Sequence, residues 1–298
     1  MSDPQAWPAL PLAEWKDTLD TLHMWTQIVG KVRLVQSPLV NHWWNVPLYV
    51  TPRGLTTSLI PHGTRNFALS FDFIDHVLLV ATVEGTTRTL ALAPRSVADF
   101  YRELMATLDA LGLPVAIHGK PDEVDDPIPF AQDETHHSYD PDPAQRHWRI
   151  LVQADRVLKE FRGRFIGKCS PVHFFWGSFD LAVTRFSGRR APPMPEADAI
   201  TREGYSHEVI SHGFWAGSGN IEEPAFYAYA APQPDGLPEA AIRPAKAFYN
   251  PDTTGFVLPY EIVRRASDPD AVLLEFLQST YEAGATLAKW DRGALERA

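Results

Sequence analysis

The stretch Phe165–Gly188, FIGKCSPVHFFWGSFDLAVTRFSG, decides how the rest of the chain is read. It holds the only cysteine, Cys169, with His173, a dense aromatic run and an alternating tail that suits a strand. A fainter version runs from Ile28 to Gly54, IVGKVRLVQSPLVNHWWNVPLYVTPRG. Each continues a helical pattern ending in Gly-Lys, at Gly30-Lys31 and Gly167-Lys168, and then reaches Ser37-Pro38 or Ser170-Pro171. In each, a Val-Thr pair follows, its Thr (Thr51 or Thr184) standing 14 positions after the serine. His42-Trp43-Trp44 answers His173-Phe174-Phe175-Trp176, and Ile60-Pro61-His62-Gly63 answers Ile210-Ser211-His212-Gly213. Landmarks repeated in one order point to an internal duplication.

The intervening patterns fit two such units. Apolar spacing predicts helices over Pro11–Val29, from Ser96 to Leu111, over Trp148–Arg164 and over Ala271–Lys289. Gly30, Gly112 and Gly167 stand at the expected ends of the first three. Strands are expected at His42–Thr51, Leu55–Ile60, Phe67–Phe73, Val77–Val83 and Thr87–Leu92, the last three joined by short turns as a meander. More follow at Cys169–Val183, Tyr205–Ser211, Ala225–Ala230 and Gly255–Pro259, with a Pro-rich insertion over residues 188–203. The expected fold class is α+β, two similar helix–antiparallel sheet–helix halves related by duplication. Residues 1–117 form the first half, 118–146 an acidic, Pro-rich connector, and 147–298 the second half, which is expected to carry the site. The connector has eight acidic residues against Lys120 and Arg146 and no period of either kind, so it reads as solvated.

Composition narrows the function. With 298 residues and 45% hydrophobic content, the chain can bury a large core. A net charge of −10 disfavours a general nucleic-acid grip, which needs a basic face. One cysteine excludes an internal disulfide and a multi-cysteine zinc site. The N-terminus shows no signal peptide, and no apolar run reaches the roughly 18 residues of a membrane helix, so the expected setting is cytoplasmic, without membrane partners. No Gly-rich phosphate loop or dinucleotide fingerprint is present, and no nucleotide cofactor is expected.

The motifs WPALPLAEWKDTLDTLHMWTQIVGK, NHWWNVPLYVTPRGLTTSLIP and FIGKCSPVHFFWGSFDLAVTRFSGRRAPP resemble those of an uncharacterised bacterial family, a domain of unknown function. The resemblance covers Trp7 to about Trp290 and implies a bacterial, stand-alone protein. It brings no activity, fold or catalytic residues with it.

Candidate chemistry gathers in the second half. His207-Glu208 and His212 form H-E-x-x-x-H, one residue longer than the helical zinc motif. On a strand, Glu208 and His212 share a face, and His173 would join them from a neighbouring strand. These three are the candidate acid/base groups, with Arg185 to hold an anionic group of a small-molecule ligand. The same three side chains are candidate ligands for a divalent metal, with His62 a further histidine within the echo. Cys169 and His173 could pair as a thiolate nucleophile, although free cysteines are more often small buried hydrophobes. His136-His137 and Glu222-Glu223 lie in expected loops. Trp43, Trp44, Phe174, Phe175, Trp176, Phe214 and Trp215 divide between core and any apolar cavity. The reading is a small-molecule enzyme with its pocket in the second half; the alternative is a non-catalytic ligand-binding or protein-interaction protein.

Overall fold

In a computed structural model describing residues 6–217, 221 and 223–297, the first half is a meander packed on two helices. Glu222 and the first five residues lie outside that set. The order is α1 (Lys16–Gln36), β1 (Tyr49–Val50), β2 (Gly54–Thr56), β3 (Ile60–His62), β4 (Arg65–Asp72), β5 (Val77–Thr82), β6 (Thr87–Ala91) and α2 (Val97–Ala110). The sheet is antiparallel, ordered β1-β2-β4-β5-β6, with β3 also paired to β4. Strict alternation buries Phe67, Leu69 and Phe71 of β4 and Leu78 and Val80 of β5 on one face, as period-two patterning dictates. Ser96 caps α2 by accepting from the Asp99 amide at 3.1 Å.

The second half follows as α3 (Pro141–Gly163), β7 (His173–Phe175), β8 (Asp180–Arg190), α4 (Ala199–Gly204), β9 (His207–Trp215), β10 (Ala225–Ala231), β11 (Phe248–Asn250), β12 (Gly255–Pro259), α5 (Tyr260–Arg264), α6 (Pro269–Leu287) and α7 (Arg292–Leu295). Its antiparallel sheet runs β11-β12-β10-β9-β8-β7. Helices α3 and α6 cover one face. Asp140 and Asp268 cap those helices, each followed by proline at the first helical position. The architecture is α+β. No helix among the described residues is long and apolar enough to cross a membrane.

One hydrophobic core runs through both halves. Among the described residues the sheets meet at a single antiparallel bridge, where Leu48 and Phe174 exchange amide hydrogen bonds of 2.9 Å each way. The segment before α3 is tied down rather than solvated. Asp133 is fully buried and accepts from His136 Nδ1 at 2.7 Å, while the Asp133 and His136 carbonyls receive the first amides of α2.

The largest departure from sequence expectation is at Gly30. It does not end α1, which continues for a further turn and a half. Its missing side chain instead makes room for Trp176: a Cβ on Gly30 would stand 2.2 Å from the indole. Trp176 Nε1 donates to the Val46 carbonyl at 2.9 Å, and the Lys31 ammonium lies 5.5 Å from the ring centroid. The opening stretch differs too, because Cys169–Val183 is not one strand. It is β7, a turn at residues 176–179 and β8, with Phe179 in the left-handed region at φ 56°.

The echoed landmarks occupy inequivalent places. One sheet pairs both β2 and β3 with β4, whereas the other turns its last hairpin back so that β12 rather than β11 joins β10. His62 lies on a short strand and bonds Gln36; His212 lies in the centre of its sheet and is fully buried. Trp44 follows a 3-10 turn where the sequence suggests a strand. Ser170 and Thr184 exchange hydrogen bonds of 2.8 and 2.9 Å, whereas the Ser37 amide ends α1 on Arg33 and the Thr51 amide bonds Gly54.

Helix propensity alone says that Gly30→Ala stabilises by about 1 kcal/mol. Contact with Trp176 reverses the sign, and a loss of about 1–3 kcal/mol is expected from overpacking. Trp176→Ala is expected to cost about 3–5 kcal/mol. In urea unfolding the double variant should lose less than the two together, since each change relieves the other. A higher midpoint for Gly30→Ala would show that the contact does not limit α1.

Candidate functional site

Alternation on β8 sends Leu181, Val183 and Arg185 toward α3 and α6, and Asp180, Ala182, Thr184 and Phe186 to the other face. With Val209 and Ser211 of β9 and Tyr227 and Tyr229 of β10, the second set floors a cavity of about 370 Å³. The opposite wall comes from elsewhere in the chain: Trp43, Trp44 and Val46 after α1, Asp122 and Glu123 of the expected connector, and Ile200, Thr201 and Tyr205 around α4.

Helix α1 fastens the acidic wall. Gln27 clamps the Asp122 backbone, donating to its carbonyl at 2.7 Å and accepting from its amide at 2.8 Å. The buried Lys31 ammonium meets the Asp122 carboxylate at 2.5 Å. Glu123, next in the chain, is held at φ 54° with its carboxylate against Gly177, where a Cβ would come within 2.4 Å of Oε1. Glu123 keeps contact with solvent, and its carboxyl is pushed up by desolvation and then by the Asp180 charge.

Asp180 is the one buried carboxyl of the floor, 7% exposed. Ser178 Oγ donates to Oδ1 at 2.5 Å and the Tyr227 hydroxyl donates to Oδ2. Desolvation outweighs those bonds and raises its pKa. Among the described residues no lysine, arginine or histidine pairs with Asp180 or Glu123. Gly213, the strand partner of Tyr227, makes the contact available: a Cβ there would stand 2.4 Å from the Tyr227 oxygen and 2.3 Å from the Leu181 carbonyl. Further along, Tyr205 and Tyr229 share a 2.9 Å hydroxyl bond, as do Thr184 and Ser211.

The other end carries His42, with Lys168 behind it. His42 and Trp43 both adopt left-handed backbone, at φ 58° and 59°, unusual for residues with side chains. His42 Nδ1–H donates to the carbonyls of Glu203 and Gly204, at 3.1 Å each, which fixes its tautomer. Nε2 is thereby free to accept from Lys168 Nζ at 2.7 Å. Burial, and then Lys168, lower the His42 pKa.

The four residues singled out from sequence do not gather in this cavity. Glu208 and His212 do share a face, but it is the one that packs on α3 and α6. His212 is fully buried, its Nε2 3.1 Å from Thr280 Oγ1 and its ring against Phe161. Glu208 pairs with Arg189 at 2.6 Å, and that arginine also bonds the Ala288 carbonyl beyond the end of α6. Arg185, 1% exposed, lies 3.5 Å from the Phe161 ring centroid and 4.3 Å from that of Tyr281, and donates to the Phe161 carbonyl. Burial lowers its pKa to about 10. His173 pairs with Ala182, so it lies on the other sheet face from His212, which pairs with Val183. Both His173 nitrogens are buried without a hydrogen-bond partner, and burial takes its pKa down to about 3. Burial pushes the Cys169 thiol up to about 11, leaving it protonated near neutral pH. Among the described residues no three His, Cys, Asp or Glu side chains are gathered to hold a metal. Sequence reading missed Asp180, Glu123 and the three tyrosines; a lone carboxylate in the apolar run Phe179-Asp180-Leu181 was the available signal.

His173 supplies a pH test. Its pKa falls from 6.5 to about 3 on folding, so between those values the unfolded chain binds the extra proton. Its titration costs no stability above about 6.5, and destabilises by about 1.4 kcal/mol per pH unit as pH falls below it. His173→Phe removes two unpaired buried nitrogens. It is expected to match or exceed wild-type stability at pH 7.5, and to show a slope shallower by one proton in urea midpoints from pH 7 to 5. An unchanged slope would mean that His173 is not held neutral.

Searches of the curated proteins and of the solved structures each returned no match. The family model described as "Family of unknown function (DUF5996)" matches residues 7–297. With nearly the whole chain matched, the protein belongs to DUF5996, a family of unknown function.

Proposed function

We propose that the chain is a small-molecule enzyme whose site is the cavity on the open face of the second sheet, with Asp180 as the proton-transferring group. The observation that carries this reading is a buried carboxyl of raised pKa, oriented by Ser178 and Tyr227, in the floor of an aromatic-walled cavity. A carboxyl displaced toward neutral pH is suited to general acid–base work, and such groups concentrate at functional sites. Concave, largely apolar sites of this size with a few fixed polar groups are the usual seats of small ligands. The single cysteine and acidic balance support a cytoplasmic setting. The second reading, ligand binding without turnover, is favoured by one fact: both Asp180 oxygens already accept hydrogen bonds.

Ala182 stands in the middle of the floor, and Ala182→Phe fills the cavity from there. Compounds that raise the wild-type melting temperature in a metabolite screen are expected to leave this variant unmoved. Stabilisation of both proteins alike would put the ligand elsewhere and end the cavity reading. For a ligand that wild type converts, Asp180→Asn is expected to lower kcat at saturation about 100-fold or more, the usual worth of a general acid or base. Unchanged kcat would remove Asp180 from the chemistry, and binding without conversion would establish the second reading.

A further inference from the structure

Resting on the cavity reading just given, we infer that the ligand carries an organic cation, an alkylammonium or guanidinium group, seated at the Asp180 end with an apolar body along the aromatic walls. Three independent features lead there. The cavity is real space, about 370 Å³, several times the volume of a single head group. Its acidic end carries Asp180, nine-tenths buried, and Glu123, neither paired to a basic side chain among the described residues. A buried carboxylate without a counter-charge is costly, and a bound cation supplies that charge. Trp176, Tyr227 and Tyr229 also line the cavity, and aromatic rings attract cations through their quadrupoles.

The neighbouring charges sort in the same direction. Asp122 is neutralised by Lys31, so it does not compete for the head group. Lys168 is the cation nearest the other end, 4.9 Å from the Phe186 ring centroid. Phe186 stands six positions beyond Asp180 on β8, roughly 20 Å at the usual rise, so Lys168 cannot serve Asp180. A ligand of this class therefore places its cation at the acidic end, away from Lys168, and enters in one orientation. An anionic head group at the Asp180 end would face two carboxyls without a donor cation, which disfavours it.

The test is isothermal titration of the full chain at pH 7.5 with 2-phenylethylamine, its neutral isostere 2-phenylethanol, and 3-phenylpropionate. The amine is expected to bind at least about tenfold more tightly than the alcohol, the usual worth of a charge-assisted hydrogen bond, and the carboxylate more weakly still. Glu123→Gln, on the solvent side, and Asp180→Asn, which keeps the side-chain shape, should each weaken amine binding about tenfold while leaving 2-phenylethanol unchanged. Folding of both variants is checked by circular dichroism; should Asp180→Asn fail to fold, Glu123→Gln carries the comparison alone. No amine binding, no preference for the amine over the alcohol, or amine binding indifferent to these substitutions would overturn the inference. If the alcohol or the carboxylate binds best and Ala182→Phe abolishes it, the cavity stands and only the cation falls. Amine binding that survives Ala182→Phe removes both.

Discussion

The contact on which the cavity depends is that between the Trp176 indole and the bare backbone of α1 at Gly30. The indole reaches one α-carbon that lacks a side chain, bonds the Val46 carbonyl, and lies under the Lys31 ammonium. Lys31 in turn holds Asp122, and with it the acidic wall. Val46 leads directly into Leu48, whose bridge to Phe174 is, among the described residues, where the sheets touch as strands. A rigid aromatic plane packed on backbone tolerates little displacement, because interiors are as dense as organic crystals. The position of α1 therefore fixes the geometry of a cavity built mostly from the other half.

The second sheet separates two kinds of polar residue by face. Toward α3 and α6, His212 and Arg185 are packed among rings, the histidine held neutral and the guanidinium spread over Phe161 and Tyr281. Toward the cavity, hydroxyl groups pair in twos and one carboxyl accepts two of them. Burial alone is thus a poor guide to role: His173, His212 and Asp180 are all buried, yet only Asp180 reaches space that a ligand could fill.

Local signals carried the elements well. Alternation marked β4 and β5, and Ser96 marked the start of α2 through the bond its side chain makes, whereas α3 starts at Pro141 behind Asp140, inside the stretch read as connector and seven residues before the expected Trp148. Parity placed Glu208 and His212 together on one face, but nothing in a strand's pattern says which face meets helices and which meets a cavity. That choice depends on segments distant in sequence, and the residues around 122 read as connector because their partner, Gln27, stands 95 positions away. Gly30 misled for a related reason. Glycine near a helix's expected end resembles a stop, and only the arrival of Trp176 explains it as a seat. The aromatic cluster was legible as a group, and its division was not: Trp43, Trp44, Phe175 and Trp176 line the cavity, while Phe174 and Phe214 fill the core.

The Leu48–Phe174 bridge has a consequence during biosynthesis. Chain emerges from a ribosome at about 5–20 residues per second, so the 126 positions between these two residues correspond to roughly 6–25 s of elongation. Throughout that interval the meander lacks the edge neighbour it will have at Leu48, and Gly30 lacks its indole. Tyr227 and Tyr229 emerge later still, so Trp43 and Trp44 wait with no opposing wall. A nascent first half therefore presents an unfinished sheet edge beside two exposed tryptophans, a combination that attracts chaperones and invites pairing between neighbouring chains on a polysome.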